Sequence, residues 1–163
     1  MATIARPQQP DLRAFIVYED LPQGFVAYPV TDEANAPHLR PGDIAIIDPT
    51  DCEPAAGELF VIDWQSGGSD IVETWSQRMT AGCGPNGEMI DTVCWKVAGS
   101  NRSRSYDDAM ERLRLGQPIG WVDGPYATEG PRAGALKRKL RGRVIGILEA
   151  AYAEPPRQIG RAA

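Results

Sequence analysis

Between Val30 and Val61 the chain alternates turn residues with short apolar runs, and no other stretch limits its fold as much. Arg40-Pro41-Gly42-Asp43 reads as a tight turn, because Pro41 fixes φ and Gly42 permits a positive φ. The turn feeds an apolar run, Ile44 to Ile47. A loop rich in Pro, Asp and Ala follows, and Gly57-Glu58 then opens a second run, Leu59 to Ile62. Two short β-runs separated by such a loop read as a hairpin-like unit.

The flanking segments continue this β pattern. Leu12 to Tyr18 is β-branched and aromatic, Asp20 to Gly24 punctuates it, and Phe25 to Val30 reads as the next strand, the two forming a hairpin in front of the central stretch. Asp63 to Gly68 is a turn and Ile71 to Trp75 a strand. Thr80 to Gly87 reads as a loop whose Asn86-Gly87 pair favours a tight reversal. From Glu88 to Ala98, Val93, Trp95 and Val97 alternate with Cys94, Lys96 and Ala98, the period of a half-buried strand. Ser105 to Leu115 is the one helix, with Ser105 placed to cap it, Asp107 and Asp108 in its first turn, and Gly116 and Pro118 ending it. Tyr106, Ala109, Met110 and Leu113 share one face of that helix. Ile119 to Val122 reads as a short strand, Asp123 to Gly134 as a Gly/Pro-rich loop, and Leu140 to Tyr152 as the closing strand. Residues 1–11 read as a flexible arm and residues 153–163 as a frayed tail, leaving 12–152 as a single domain.

Bulk properties exclude several classes. Of 163 residues 42% are hydrophobic, and no apolar run approaches membrane-spanning length, so no membrane partner is expected. Cys52, Cys83 and Cys94 form no C-x-x-C pair, which argues against a disulfide framework or a zinc site and for a reducing, cytoplasmic setting. Ala-, Arg- and Gly-rich usage suits a bacterial or phage source. The net charge of −5 argues against nucleic-acid binding by the surface as a whole. Acidic residues crowd Glu19 to Asp63, whereas Arg132, Lys137, Arg138, Lys139, Arg141 and Arg143 form a basic run. Such a run is usually a solvated flank, and docking on a phosphate backbone is the sharper alternative. No phosphate-binding loop, dinucleotide fingerprint or zinc motif is present, so neither cofactor nor metal is expected.

Four landmarks resemble one family. Val30 to Pro37 with Gly42-Asp43, then Gly57-Glu58, Val97-Ala98-Gly99-Ser100-Asn101, and Gly142-Arg143-Val144-Ile145-Gly146 follow in order the pattern of LexA- and UmuD-like self-cleaving serine–lysine peptidases, whose β-fold is shared more distantly by signal peptidases. The resemblance spans roughly Phe25 to Leu148. It implies a mainly β, LexA/signal-peptidase-like twisted and partly closed sheet assembly, with the 105–115 helix as an insertion, and family members that commonly pair as homodimers. It also places the family's nucleophilic serine at Ala34, the methionine after it at Asn35, and the lysine base at Glu73. A serine–lysine dyad needs a neutral amine to take the hydroxyl proton, and neither group is present. The resemblance therefore implies the fold and argues against the reaction.

The expected function is a non-catalytic pseudo-peptidase, a protein-interaction or dimerisation module acting in phage or stress-response transcriptional regulation. Its partner would be a protein or peptide, or a second copy of the chain, with nucleic acid engaged only indirectly. The candidate binding residues are those of the former cleft and turn: Asp32, Glu33, Asn35, Pro37, Gly42 and Asp43. A peptidase with relocated catalytic groups is the alternative from another class, and a nucleic-acid-associated factor using the 132–143 run is a third. Asp32, Glu33 and Glu73 would converge as a carboxylate cluster if the vestigial site is correctly placed. Ala34→Ser with Glu73→Lys should then bring two side chains within hydrogen-bond reach. Lys96 lies one strand too late to serve as base, His38 reads as a surface turn residue, and Cys52 sits in an acidic loop that would raise its pKa. No helix-turn-helix pattern is legible before Phe25.

Overall fold

The computed structural model describes residues 13–149, so the expected arm at 1–11 and tail at 153–163 lie outside the described residues. Eight strands form one sheet: β1 (Ile16–Tyr18), β2 (Val26–Pro29), β3 (Ile44–Asp48), β4 (Leu59–Asp63), β5 (Ser69–Cys83), β6 (Met89–Ala98), β7 (Asp123–Ala127) and β8 (Leu140–Leu148). Between β6 and β7 lies α1 (Tyr106–Arg114). The mainly β class with one short helix is as expected. The sheet runs β2-β3-β8-β4-β5-β6-β7, it is not closed into a barrel, and every pairing is antiparallel except β1 on β8.

Strand β8 organises this order. It pairs with β3 over Arg143 to Leu148 and with β4 over Leu140 to Arg143, while β1 takes up Gly146 to Leu148. The expected hairpin-like unit of the Ile44–Ile47 and Leu59–Ile62 runs is therefore wrong: β8 separates β3 from β4. The expected N-terminal hairpin is wrong too, since β1 pairs with β8 and β2 with β3. Both errors share a cause. The apolar pattern marks strands but not their partners, and here the partner comes from about 100 residues downstream.

The glycines of the last landmark have a steric reason. A Cβ at Gly142 would stand 2.3 Å from the Asp48 carbonyl oxygen and 2.7 Å from Ile47 Cγ2, and one at Gly146 would stand 2.5 Å from the Ile16 carbonyl oxygen. Backbones crowd β8 from β3 and from β1, so only residues without a side chain fit.

The core fills both faces of the sheet. On one face Leu59, Val61 and Ile71 pack with Leu39, Ala45, Ile47, Val144 and Ile147; on the other Phe60, Ile62 and Val72 pack with Val97, Leu136 and Leu140. Burial on both sides explains why β4 reads as the unbroken run Leu-Phe-Val-Ile rather than as an alternation. Three boundaries differ from expectation. Strand β5 runs on to Cys83, absorbing Thr80 to Cys83 through a register shift at Gly82, and reverses at Gly84 to Gly87 into β6. Ile119 to Val122 is not a strand, and the Gly/Pro-containing Asp123–Ala127 is. In β6 the expected parity fails, because Cys94 is buried while Val93 is 43% exposed.

Helix α1 begins and ends as its sequence dictates: Ser105 Oγ accepts the Asp108 backbone N–H at 3.1 Å, and Leu115 closes the last turn. Its apolar face covers nothing. Tyr106, Met110 and Leu113 are 77, 46 and 56% exposed, and no residue of the helix is buried. Arg112 fastens the helix instead, donating to Asn101 Oδ1 and to the Pro118 carbonyl, both at 3.1 Å.

Candidate functional site

Two of the sequence landmarks meet. The 31–40 excursion between β2 and β3 is pinned to the end of β6 by three hydrogen bonds and to β5 by a fourth. Asn35, 2% exposed, donates through Nδ2 to the Ile71 carbonyl at 2.8 Å and accepts the Ser100 N–H on Oδ1 at 3.0 Å. Asn101 donates its backbone N–H to the Ala34 carbonyl at 2.8 Å and its Nδ2 to the Glu33 carbonyl at 3.1 Å. Gly99 closes the contact, since a Cβ there would fall 2.4 Å from the Ala34 oxygen. Ala34 thus packs against backbone, and Asn35 holds the two segments together.

Glu73 lies opposite Ala98 in the β5–β6 pairing. Its carboxylate, with the side chain 13% exposed, sits between two guanidinium groups: Arg102 Nη1 at 3.1 Å from Oε2 and Arg104 Nη2 at 3.0 Å from the same oxygen. Arg102 is more deeply buried, donates also to the Gly99 carbonyl at 3.0 Å, and stacks 4.0 Å from the Trp75 ring centroid. Burial alone would raise the Glu73 pKa. The hydrogen bonds and charges of Arg104 and Arg102 outweigh it and hold the carboxyl below its ordinary value. The position that would carry a lysine base is therefore a structural anion.

Beside this clamp a cleft of about 460 Å³ is lined by Arg13, His38, Glu58, Leu59, Glu73, Ser100 and Arg104. His38 belongs to this cleft and is not a free turn residue. The Arg13 backbone N–H donates to its Nδ1 at 3.1 Å, while Arg13 Nη1 pairs with Glu58 Oε2 at 3.1 Å. Burial and then the charge of Arg13 push the imidazole below its ordinary 6.5, with Arg104 adding to this and Glu73 opposing it. The folded state thus favours the neutral ring. Between the folded and unfolded pKa values the unfolded chain binds more protons, so this contribution is complete above about pH 6.5 and is lost as pH falls through the folded-state value. A urea midpoint that declines from about pH 7 to about pH 5, and declines less in His38→Asn, is the expected result. The depressed carboxyl of Glu73 acts in a separate window below 4.5, so the two are resolvable.

The other expected site residues divide. Asp32 and Asn35 line a second, much smaller cavity of about 20 Å³ with Tyr28, Val30 and Thr31. Asp32 Oδ1 accepts the Ala34 N–H, and Asp43 Oδ2 accepts the Arg40 N–H across the turn that Gly42 makes with φ 94°. Pro37, after a cis peptide, and Glu33 are exposed. None of Asp32, Glu33, Asn35, Pro37, Gly42 and Asp43 lines the 460 Å³ cleft. Nor do Asp32, Glu33 and Glu73 converge: among the described residues no group of three or more His, Cys, Asp or Glu is arranged to hold a metal ion. Lys96, opposite Trp75 and beside Gly124 of β7, stands outside the cleft. The Cys52 thiol is raised as the sequence suggested, though burial contributes more than Asp51 and Asp48.

The basic run meets the acidic block. Lys137 pairs with Glu53, Arg143 Nε lies 3.0 Å from Asp51, and Arg141 lies 3.7 Å from Asp63. Lys139 donates to the Tyr126 hydroxyl at 2.9 Å and Arg138 to the Ala133 carbonyl at 3.5 Å, while Arg132 is exposed. Sequence reasoning missed Arg13, Glu58, Ser100, Arg102 and Arg104. The cluster of Arg102 and Arg104 directly after the Ser100-Asn101 landmark was the available signal.

Comparisons of the chain with protein families, with curated proteins and with solved structures find no match. Among the described residues no helix is long and apolar enough to cross a membrane.

Proposed function

We propose that this chain is a non-catalytic pseudo-peptidase of the LexA/UmuD-like kind: an interaction module that binds a polypeptide or a second copy of itself, in a regulatory setting such as phage or stress-response transcription. The observation that carries this reading is the uncovered apolar face of α1. Tyr106, Met110 and Leu113, continued by Leu115, Ile119, Trp121 and Val122, are all at least 40% exposed. Exposed large apolar side chains gathered in one stretch of the chain favour a protein partner. The Arg102–Glu73–Arg104 clamp supports the non-catalytic half of the reading, because it spends the position of the lysine base on holding the end of β6. The pairing of the basic run with Glu53, Asp51 and Asp63 weakens the nucleic-acid alternative.

Sedimentation velocity over a concentration series tests it. Self-association, or capture of a partner, should weaken at least about tenfold in Met110→Asp/Leu113→Asp, with an unchanged thermal midpoint because both side chains are already in water. Intact mass should stay constant through incubation at neutral and alkaline pH. Fragments that vanish in Ser100→Ala would favour the peptidase with relocated groups. A monomer with no partner, indifferent to the double substitution, would remove the interaction reading.

A further inference from the structure

Among the described polar residues that line the cleft, Ser100 is the one whose side chain has no hydrogen-bond partner. It is 8% exposed, its backbone N–H is held by Asn35 and its carbonyl by Arg104, yet its hydroxyl oxygen is buried without a hydrogen bond. Leaving a buried hydroxyl unpaired costs about 1–3 kcal/mol, so native structures rarely keep one unless something else completes it.

The rest of the cleft specifies what would complete it. Both oxygens of Glu73 and one of Glu58 already accept from arginines. What remains is mostly donors. With Nδ1 accepting from Arg13, the neutral His38 ring carries its proton on Nε2, the nitrogen left for a ligand. Three guanidinium groups, of Arg13, Arg102 and Arg104, face two carboxylates, so one positive charge is left over. Surplus donors with one uncompensated positive charge suit a single planar anion.

We propose that this cleft is a carboxylate site, taking a peptide C-terminus or an acidic side chain between the Ser100 hydroxyl, His38 Nε2 and the guanidinium groups of Arg104 and Arg13. It deepens the reading of the chain as a polypeptide-binding module and rests on that reading. It also gives Ser100 and His38 a role in recognition rather than bond cleavage.

The test is an amide-shift titration of the isotope-labelled chain with three acetylated hexapeptides of one Ala/Ser composition. The first has a free C-terminal carboxylate, the second is amidated and neutral, and the third is amidated with one internal glutamate. The first or the third, or both, should shift the Ser100, Asn101 and Arg104 amides, and which of them does so identifies the source of the carboxylate. The neutral peptide should not. Ser100→Ala should weaken binding about tenfold or more, because a hydrogen bond to an anion is lost, while leaving the thermal midpoint equal or higher, because an unpaired hydroxyl is removed. Binding of the neutral peptide with equal affinity overturns the carboxylate assignment and leaves the module reading standing. No response to any peptide also overturns it, and sedimentation then decides the module reading separately. A Ser100→Ala variant that unfolds more easily overturns it as well, since the hydroxyl would then have a partner in the free protein.

Discussion

Glu73→Lys, alone or with Ala34→Ser, is expected to cost about 3–5 kcal/mol and to yield no bond-breaking activity. The carboxylate it replaces lies between Arg102 and Arg104, with side chains 13% exposed for Glu73 and 6% for Arg102. A lysine there exchanges two attractions for two repulsions; Arg104, 54% exposed, can swing into water, whereas Arg102, 6% exposed and stacked on Trp75, stays beside the new charge. Against a total stability of about 5–15 kcal/mol this loss is large. Glu73→Gln keeps an acceptor and loses only the charge, so about 1–3 kcal/mol is expected. Urea denaturation of the three proteins gives the order. A Glu73→Lys chain as stable as its parent would show that the clamp does not hold in solution. Placing serine at position 34 and lysine at position 73 therefore does not by itself make a dyad, because the surroundings of position 73 are arranged for an anion.

Gly142→Ala is expected to cost about 3 kcal/mol or more, near the upper range for forcing atoms into a packed site. The added methyl would meet the Asp48 carbonyl at 2.3 Å, and that atom is backbone held by the β3–β8 pairing. Gly142 also has φ 154°, at the edge of the range other residues avoid. Gly87→Ala separates the two effects. Gly87 has φ 78° with nothing within 4 Å of a Cβ, so only conformational strain of about 1 kcal/mol should appear. Equal midpoints for the two variants would mean that the strands are not packed as tightly as described.

These two sites show what the sequence could and could not convey. Apolar runs and turn residues located β2, β3 and β4 within a residue, because each is bounded by Pro, Gly or Asp, and they located the start of β8 at Leu140, although β8 ends at Leu148 rather than at Tyr152. Pairing was illegible where it joined distant segments, as in β8 between β3 and β4, since periodicity carries no information about partners. Boundaries failed where local chemistry opposed tertiary context: Gly82 and the Gly124-Pro125 pair argue against strands, yet both lie in one. At the candidate site, matching a pattern found positions 34 and 73 but not their surroundings. Arg13, His38, Ser100 and Arg104 come from three separate stretches, and no spacing rule links them. Asn35 was placed where a methionine was expected, and only the coordinates give it a role as the polar tie between the excursion and β6.

The position of β8 bears on how the chain is made. It is the last strand in sequence among the described residues, yet it fills the middle of the sheet, between β3 and β4. Until it emerges, two half-sheets would each display a raw, apolar edge with its backbone groups unpaired. Completing the molecule requires inserting a strand between two pieces already synthesised, with β1 then docking along the final residues. Assembly of this kind depends on contacts between segments far apart in sequence and is slow. A truncation that removes the C-terminal half of β8 would keep the β4 pairing through Leu140 to Arg143 but strip β1 and most of β3 of their partner, producing a chain that aggregates rather than a smaller folded domain.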